Sequence, residues 1–331
     1  MKKLFLNGSP RERGLVHGEQ MRDEIKVALD YYRSRFLTDR STLQNHVDQL
    51  LKPLQSFKPD YLAEMDAIAE ASGIDPFWIY CINARSELMS SPTECSSIAF
   101  PQKGIIGQNW DWAEALAGQL ALAEIELESG HRILTMTEPG MLAKIGMNSA
   151  GLGVCLNILP ANQRLSGLPV HFLLRALLEC ENLKQAEDMI RQHGAGKASH
   201  ITVADRQAAI GVELAPDQPW FQMTDLPVYT HTNHYLQPDQ AQPTSSAPCT
   251  KARLEKLRKN SGDSELTIET MKQLLNDNEK PFPILKPYSD HELTGSGGTL
   301  VTMILDLNKR QMALREGFNP EAEFEYHTFS T

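Results

Sequence analysis

The sequence changes character once, and the change falls at Cys95. Upstream the chain reads as mainly helical. Residues 11 to 38 are charged with intermittent apolar positions (Val16, Met21, Ile25, Val27, Leu29, Tyr32, Phe36). Residues 59 to 72 carry Tyr61, Leu62, Met65, Ile68 and Ala69 at helical spacing and stop at Gly73. "FWIYCINARSEL" at 77 to 88 reads as a buried helix or strand, and its charged end favours helix. Downstream of Cys95, "CSSIAF" and "GIIGQNWDW" are strand-like runs around the turn "PQKG". "LALAEIELESGHRILTMTE" and "MLAKIGMNSAGLGVCLNIL" each read as two strands about a glycine-containing turn. Helices follow at 169 to 180 and 182 to 194, then the hairpin "HITVADRQAAIGVELAP". A surface loop is expected over 235 to 250, and helices at about 249 to 260 and 266 to 277. "GGTLVTMILDLNKRQMALREG" reads as a last hairpin and "EFEYHTF" as a last strand. Hairpins rather than crossover helices join the strands. The pattern therefore predicts α+β layering with antiparallel sheets, not a doubly wound parallel sheet.

Composition excludes several partners. The 331 residues carry a formal net charge of −10 and no basic run. Binding to nucleic acid or to an anionic membrane surface needs clustered Lys and Arg, so neither is expected. No run of about 18 apolar residues occurs, and the apolar stretch near the start is too short for a signal-peptide core. The five cysteines (Cys81, Cys95, Cys155, Cys180, Cys249) are odd in number, widely spaced and free of any CxxC pair. A reduced, cytoplasmic setting fits them better than a disulfide framework.

Three stretches are candidates for chemistry. "GSGGT" at 295 to 299 lacks the following helix and the Lys-Ser/Thr of a phosphate loop, and reads as a tight turn into a strand. "HTNH" sets His231 and His234 three apart. On a strand the two rings point to opposite faces, which disfavours a shared metal. Cys95 and Asp111 make a better pair. Folding 95 to 100 against 105 to 111 through a four-residue turn sets Phe100 against Ile105. Cys95 then lies opposite Trp110, or opposite Asp111 with a one-residue shift. On these residues alone, a buried cysteine beside a strand-end aspartate and a nucleophile beside a carboxylate both remain open.

"TECSSIAF…GIIGQNWDW", "IGMNSAGLGVCLN", "GLPVHFLLRALLE" and "HTNHY" occur in that order, after an opening "GSPRERGLVHGEQM". Together they resemble the acyl-coenzyme A:isopenicillin N acyltransferase family of cysteine-type N-terminal nucleophile (Ntn) hydrolases. They are more distantly similar to penicillin V acylases and bile salt hydrolases. The resemblance implies a four-layer αββα sandwich of two packed antiparallel sheets, forming one Ntn-hydrolase domain over 1–331. It also implies self-cleavage between Glu94 and Cys95, giving a mainly helical segment 1–94 and a segment 95–331 that carries the nucleophile.

By the same resemblance, Cys95 is the nucleophile and its freed α-amino group the base. Asp111 hydrogen-bonds the nucleophile and its amine. Asn233 is the side-chain donor of the oxyanion hole, and Asn157 falls where a second, backbone donor is supplied. An α-amine titrates near 7.7–8.0, close enough to neutrality to take the thiol proton. The implied activity is an amide hydrolase or acyltransferase that passes an acyl group from a small N-acyl substrate to Cys95, then to water or an amine. No cofactor or metal is implied, although a coenzyme A thioester is an admissible co-substrate. The two processed fragments would stay associated, and a homo-oligomer is compatible with the pattern.

Two residues depart from the family pattern. Glu94 stands where Gly usually precedes the nucleophile, and Ser296 where the acyltransferase has an arginine. They motivate one alternative, an unprocessed, catalytically weak binding protein of the same fold. A second alternative is a metal-dependent amidohydrolase using His231, His234 and Asp111.

Overall fold

A computed structural model of the chain describes residues 1–36, 38–89, 95–223, 226–237, 247–262, 265–291 and 295–330. Glu94, and residues 238–246 of the expected surface loop, lie outside the described residues.

The N-terminal part is helical, as its periodicity predicts, but it opens with a strand. β1 (Lys2–Leu6) is followed by α1 (Pro10–Gln20), α2 (Arg22–Arg33), α3 (Arg40–Phe57), α4 (Pro59–Ser72), α5 (Pro76–Asn83) and α6 (Arg85–Leu88). Local chemistry sets several helix ends. Ser9 and Glu12 form a reciprocal capping box at the start of α1, and the Asp39 and Asp75 carboxylates cap α3 and α5. Gly73 ends α4 in the left-handed region. α1 crosses α4 so closely that a Cβ at Gly14 would meet the Glu64 carbonyl oxygen at 2.2 Å. Only glycine permits that approach.

The rest of the chain supplies β2 (Ser96–Phe100), β3 (Ile105–Ala113), β4 (Ala121–Glu126), β5 (Arg132–Thr137), β6 (Ile145–Asn148) and β7 (Gly153–Ile158). Next come α7 (Val170–Leu178), α8 (Leu183–His193), β8 (Ser199–Ala204), β9 (Ala209–Leu214), β10 (Pro219–Met223) and β11 (Tyr229–His231). The chain continues with α9 (Ala247–Ser261), α10 (Ile268–Leu275), β12 (Ser289–His291), β13 (Gly295–Asp306), β14 (Gln311–Glu316) and β15 (Glu325–Thr328). One sheet runs β1-β4-β5-β6-β7-β8-β9-β10. The other runs β11-β2-β3-β13-β14-β15, with β12 also on β13. Every pairing is antiparallel except β1 with β4. α7 and α8 cover the outer face of the first sheet, and α9 and α10 that of the second. β2 and β3 meet β7 and β8 between them, giving the αββα order. Among the described residues no helix is long and apolar enough to cross a membrane.

"GSGGT" differs from the turn expected. It is strand, paired on one side with β12 and on the other with β3. Its glycines serve close packing, since a Cβ at Gly298 would meet the Pro287 carbonyl oxygen at 2.8 Å.

The space between the sheets contains polar cross-links. Gln108 of β3 reaches across to β7, accepting from Leu156 N at 2.7 Å and donating to Leu156 O at 3.2 Å. A second cross-link joins segments on either side of Cys95. Glu138, after β5, is fully buried and accepts from Arg85 of α6, from Lys144 Nζ at 2.7 Å and from the Tyr32 hydroxyl of α2. Trp112 Nε1 in turn donates to Tyr32 at 2.9 Å. Burial disfavours the Glu138 carboxylate, but the charges of Arg85 and Lys144 outweigh it and hold Glu138 below the usual carboxylate range. Removing the anion strands two buried cations. Glu138→Gln is therefore expected to lower the unfolding free energy by about 3–5 kcal/mol in urea titrations. An unchanged midpoint would mean that these pairs do not hold the segments together.

Candidate active site

The β2–β3 hairpin has the register that the turn length predicts. Phe100 pairs with Ile105 and Ser96 with Asn109, without a slip. Cys95, one residue before β2, is therefore level with Trp110. Its thiol is buried, with the Asp111 carboxylate and backbone N–H close enough to act on its ionisation in opposite directions. Asp111 is held from the other side by β13: its Oδ1 accepts from Thr299 Oγ1 at 2.7 Å, and the two residues pair in the sheet. Its Oδ2 is buried without a partner among the described residues. The hairpin thus brings Cys95 and Asp111 together.

Asn233 joins them from the segment after β11. β11 pairs with β2, His231 opposite Ser97, which carries the chain back past Cys95. Asn233 Oδ1 accepts from Cys95 N at 2.7 Å, and its Nδ2 donates to Ile158 O at 2.9 Å. A side-chain amide has two N–H groups, so this bond leaves one more donor on Nδ2. The segment is pinned to α9 by Thr250, whose hydroxyl accepts from Asn233 N at 2.7 Å.

Arg253, one turn further along α9, completes the group, and nothing in the sequence singled it out. It sits in "TKARLEKLRKN", where dense charge resembles a solvated helix face. Its guanidinium is fully buried. Nη1 donates to Cys95 O at 2.8 Å and to Ser96 Oγ at 2.7 Å, and Nη2 to Asn233 Oδ1 at 3.1 Å.

The remaining candidates sit around this core. Asn157 on β7 lies under β2, where its Oδ1 accepts from Ser97 Oγ at 2.7 Å and meets His200 Nδ1 at 3.2 Å. The contact is two residues along from Cys95, and Asn157 Nδ2 is buried without a partner among the described residues. Ser296 pairs with Asp290 of β12 and lines an open groove with Tyr31, Arg35 and Glu114. His231 Nε2 meets Glu213 at 2.9 Å, and its ring stacks on that of His200 at 3.6 Å. His234 instead meets Thr232 and Thr250. Among the described residues no group of three or more His, Cys, Asp or Glu is arranged to hold a metal ion.

The electrostatics of the site follow from burial. Desolvation, then the Asp111 charge, pushes the Cys95 thiol up to about 11, with Lys144 and Arg253 opposing. Desolvation likewise pushes Asp111 up to about 7 against Arg253 and the Thr299 hydrogen bond. Lys144, packed over the Trp110 ring at 3.2 Å, is lowered to about 7 by burial, with Glu138 opposing.

An αββα sandwich with a buried cysteine at the leading end of an inner strand has the fold of the Ntn hydrolases. The chain belongs to the acyl-coenzyme A:6-aminopenicillanic acid acyl-transferase family, whose sequence model matches residues 100–320. It is 29% identical over 342 residues to the acyl-coenzyme A:6-aminopenicillanic-acid-acyltransferase 40 kDa form of Emericella nidulans. That alignment covers 98% of this chain and 95% of the relative. Among solved structures, a mutant of the conjugated bile acid hydrolase from Clostridium perfringens matches with a TM-score of 0.51 at 14% identity. The match covers 72% of this chain and 97% of that one, a likeness of fold.

Asp111 makes stability depend on pH in a defined direction. Its value in the folded chain, about 7, lies above the ordinary value of about 3.9. The folded chain holds the proton more tightly, so stability falls as pH rises from about 4 to 7. Asp111→Asn removes that fall. In a Cys95→Ala background, which precludes cleavage by the thiol, the melting temperature of the Asn variant is expected to gain on its parent across this window and level off above pH 7. A difference that does not vary with pH would contradict the buried-carboxylate account.

Proposed function

We propose that the chain is a self-processing amide hydrolase or acyltransferase in which Cys95 carries the acyl group as a thioester. The carrying observation is the convergence on one residue. The Cys95 thiol feels the charge of Asp111, its backbone N meets Asn233 Oδ1, and its carbonyl meets Arg253.

A thiol held near 11 is a poor nucleophile at neutral pH, and Cys95 N in an intact chain is an amide that cannot accept a proton. Cleavage of the Glu94–Cys95 bond supplies the missing base. In that first reaction the thiol attacks the Glu94 carbonyl, the C–N bond breaks, and the thiol proton passes to the departing nitrogen. Water then hydrolyses the thioester, leaving Glu94 a carboxylate and Cys95 a free amine.

In turnover the amine takes the thiol proton while Sγ attacks the acyl carbonyl of an N-acyl amide. On this reading the second N–H of Asn233 Nδ2 donates to the developing oxyanion. The proton then goes to the leaving amine as its C–N bond breaks. Water or an amine attacks the thioester, releases the acyl group and restores the thiol. A coenzyme A thioester can load Cys95 by the same attack, with the proton leaving on the coenzyme thiol. The β1–β4 pairing and the Arg85–Glu138–Lys144 group support the two fragments remaining one particle after the cut.

Intact-mass analysis tests both halves of the reading. The wild-type chain is expected to give two masses, for 1–94 and 95–331, that co-elute on gel filtration. After incubation with N-acyl amides or acyl thioesters the larger fragment should gain an acyl mass. Cys95→Ala should remain one uncut chain without turnover. An intact wild-type chain that turns substrate over would defeat the processing half. Turnover by the Cys95→Ala variant would defeat the nucleophile.

A further inference from the structure

Arg253 is a buried cation that the sequence did not mark and the reaction scheme has not used. It bridges the carbonyl of the nucleophile residue and the side-chain oxygen of Asn233. α9 delivers it, and the same helix holds Asn233 N and Thr232 through Thr250. We propose that Arg253 is the positioning residue of this site, fixing the Asn233 amide and the Cys95 main chain while supplying the positive charge beside the nucleophile's nitrogen.

The positional part rests on donor and acceptor identity. Asn233 Oδ1 receives two donors, Cys95 N at 2.7 Å and Arg253 Nη2 at 3.1 Å. A guanidinium only donates, so the atom facing it must be the amide oxygen. Nδ2 is thereby turned toward Ile158 O and keeps its second N–H for an oxyanion. If the amide flipped, its N–H groups would face both Cys95 N–H and Arg253, two donor-to-donor contacts in a buried site.

The electrostatic part rests on the shared acceptor. Once Cys95 is an N-terminus, protonating its amine would set an ammonium and a guanidinium against one oxygen atom. Two like charges in a buried site repel, which favours the neutral amine that acts as base. The groups facing this nitrogen from the surrounding elements act in both directions. Arg253 from α9 and Lys144 from the β5–β6 connection oppose the ammonium. Asp111 from β3 favours it wherever its carboxyl is ionised. Among these, Arg253 alone touches both the residue that carries the amine and the amine's acceptor.

This inference rests on the proposed cysteine mechanism, and the test separates the two. The full chain is expressed as wild type, Arg253→Gln and Arg253→Lys. Self-cleavage is followed by intact mass over time. Alkylation of Cys95 in the cut protein by iodoacetamide is followed by fragment mass from pH 5 to 9. Arg253→Gln removes the charge. The acid limb of its alkylation profile is expected to move up by about one pH unit, making labelling at pH 6 about tenfold slower.

Arg253→Lys keeps the charge but cannot bridge both acceptors. It is expected to keep the acid limb and to self-cleave about tenfold more slowly, because the Asn233 donor is no longer fixed. A wild-type limb in Arg253→Gln, or a wild-type cleavage rate in Arg253→Lys, overturns the assignment. If Arg253→Gln does not fold, Arg253→Lys decides it by the same two readings. A moved limb or an unchanged cleavage rate overturns the assignment; an unmoved limb with slow cleavage upholds it. If the wild-type chain neither cleaves nor labels at Cys95, the cysteine mechanism fails and not Arg253 in particular.

Discussion

The register of β2 against β3 is the constraint on which the site depends. Phe100 faces Ile105 through a compact connection, and every later pairing follows from that contact. A slip by one residue would reverse which side chains face the other sheet. Ile98 and Phe100 would leave the apolar layer under α9 and α10, while Ser97 would leave Asn157. Large apolar side chains on the helix side and small or polar ones on the sheet side make such a slip costly. The register that buries Phe100 therefore also sets the thiol at the Asp111 backbone. Fold and site share one specification.

Around that hairpin the molecule buries an unusual amount of charge: Asp111, Arg253, Lys144, Glu138 and Arg85 are all nearly inaccessible. Each ion loses hydration worth several kcal/mol, so pairing is what makes the arrangement tolerable. Glu138 neutralises two cations at once, and Arg253 satisfies three acceptors. Apolar side chains of equal volume would stabilise the fold at least as well. On the proposed mechanism these ions are useful chemically: they set the field felt by a thiol and a nitrogen that exchange a proton. The Glu138 group also spans the position of the proposed cut, because Tyr32 and Arg85 precede it and Lys144 and Trp112 follow it.

Much of this was legible in the sequence, for local reasons. The hairpins declare themselves through alternation and turn residues, so most strands after Cys95, and the Cys95–Asp111 proximity, could be read from spacing, whereas the short β10 and β12 could not. β1 could not. Its partner β4 is parallel and more than a hundred residues away, and five residues with two buried leucines carry little periodic signal. "GSGGT" looked like a turn because glycine marks turns more often than it marks backbone packed against backbone. Arg253 was hidden by its surroundings: on a helix where lysine and arginine abound, burial of one guanidinium depends on which face α9 lays against β11, a tertiary fact. The side-chain contacts of Asn157 are hidden in the same way, since they come from how the two sheets stack.

Two atoms near Cys95 bear on the proposed mechanism. Asp111 Oδ2 is buried without a donor, and Asn233 Nδ2 uses only one of its two N–H groups on the protein. An unsatisfied buried acceptor carries a penalty of about 1–3 kcal/mol, which a folded chain rarely tolerates without a use. On the proposed mechanism the two are complementary. The acceptor suits the ammonium formed while the amine holds the thiol proton, and the donor suits the oxyanion formed at the same moment. On that mechanism charge separates at Cys95 as a thioester forms, and a group complementary to each new charge is already present. The Arg253 guanidinium is bonded to the Asn233 oxygen and to the Cys95 carbonyl. Neither partner can then turn away to satisfy itself before the substrate arrives.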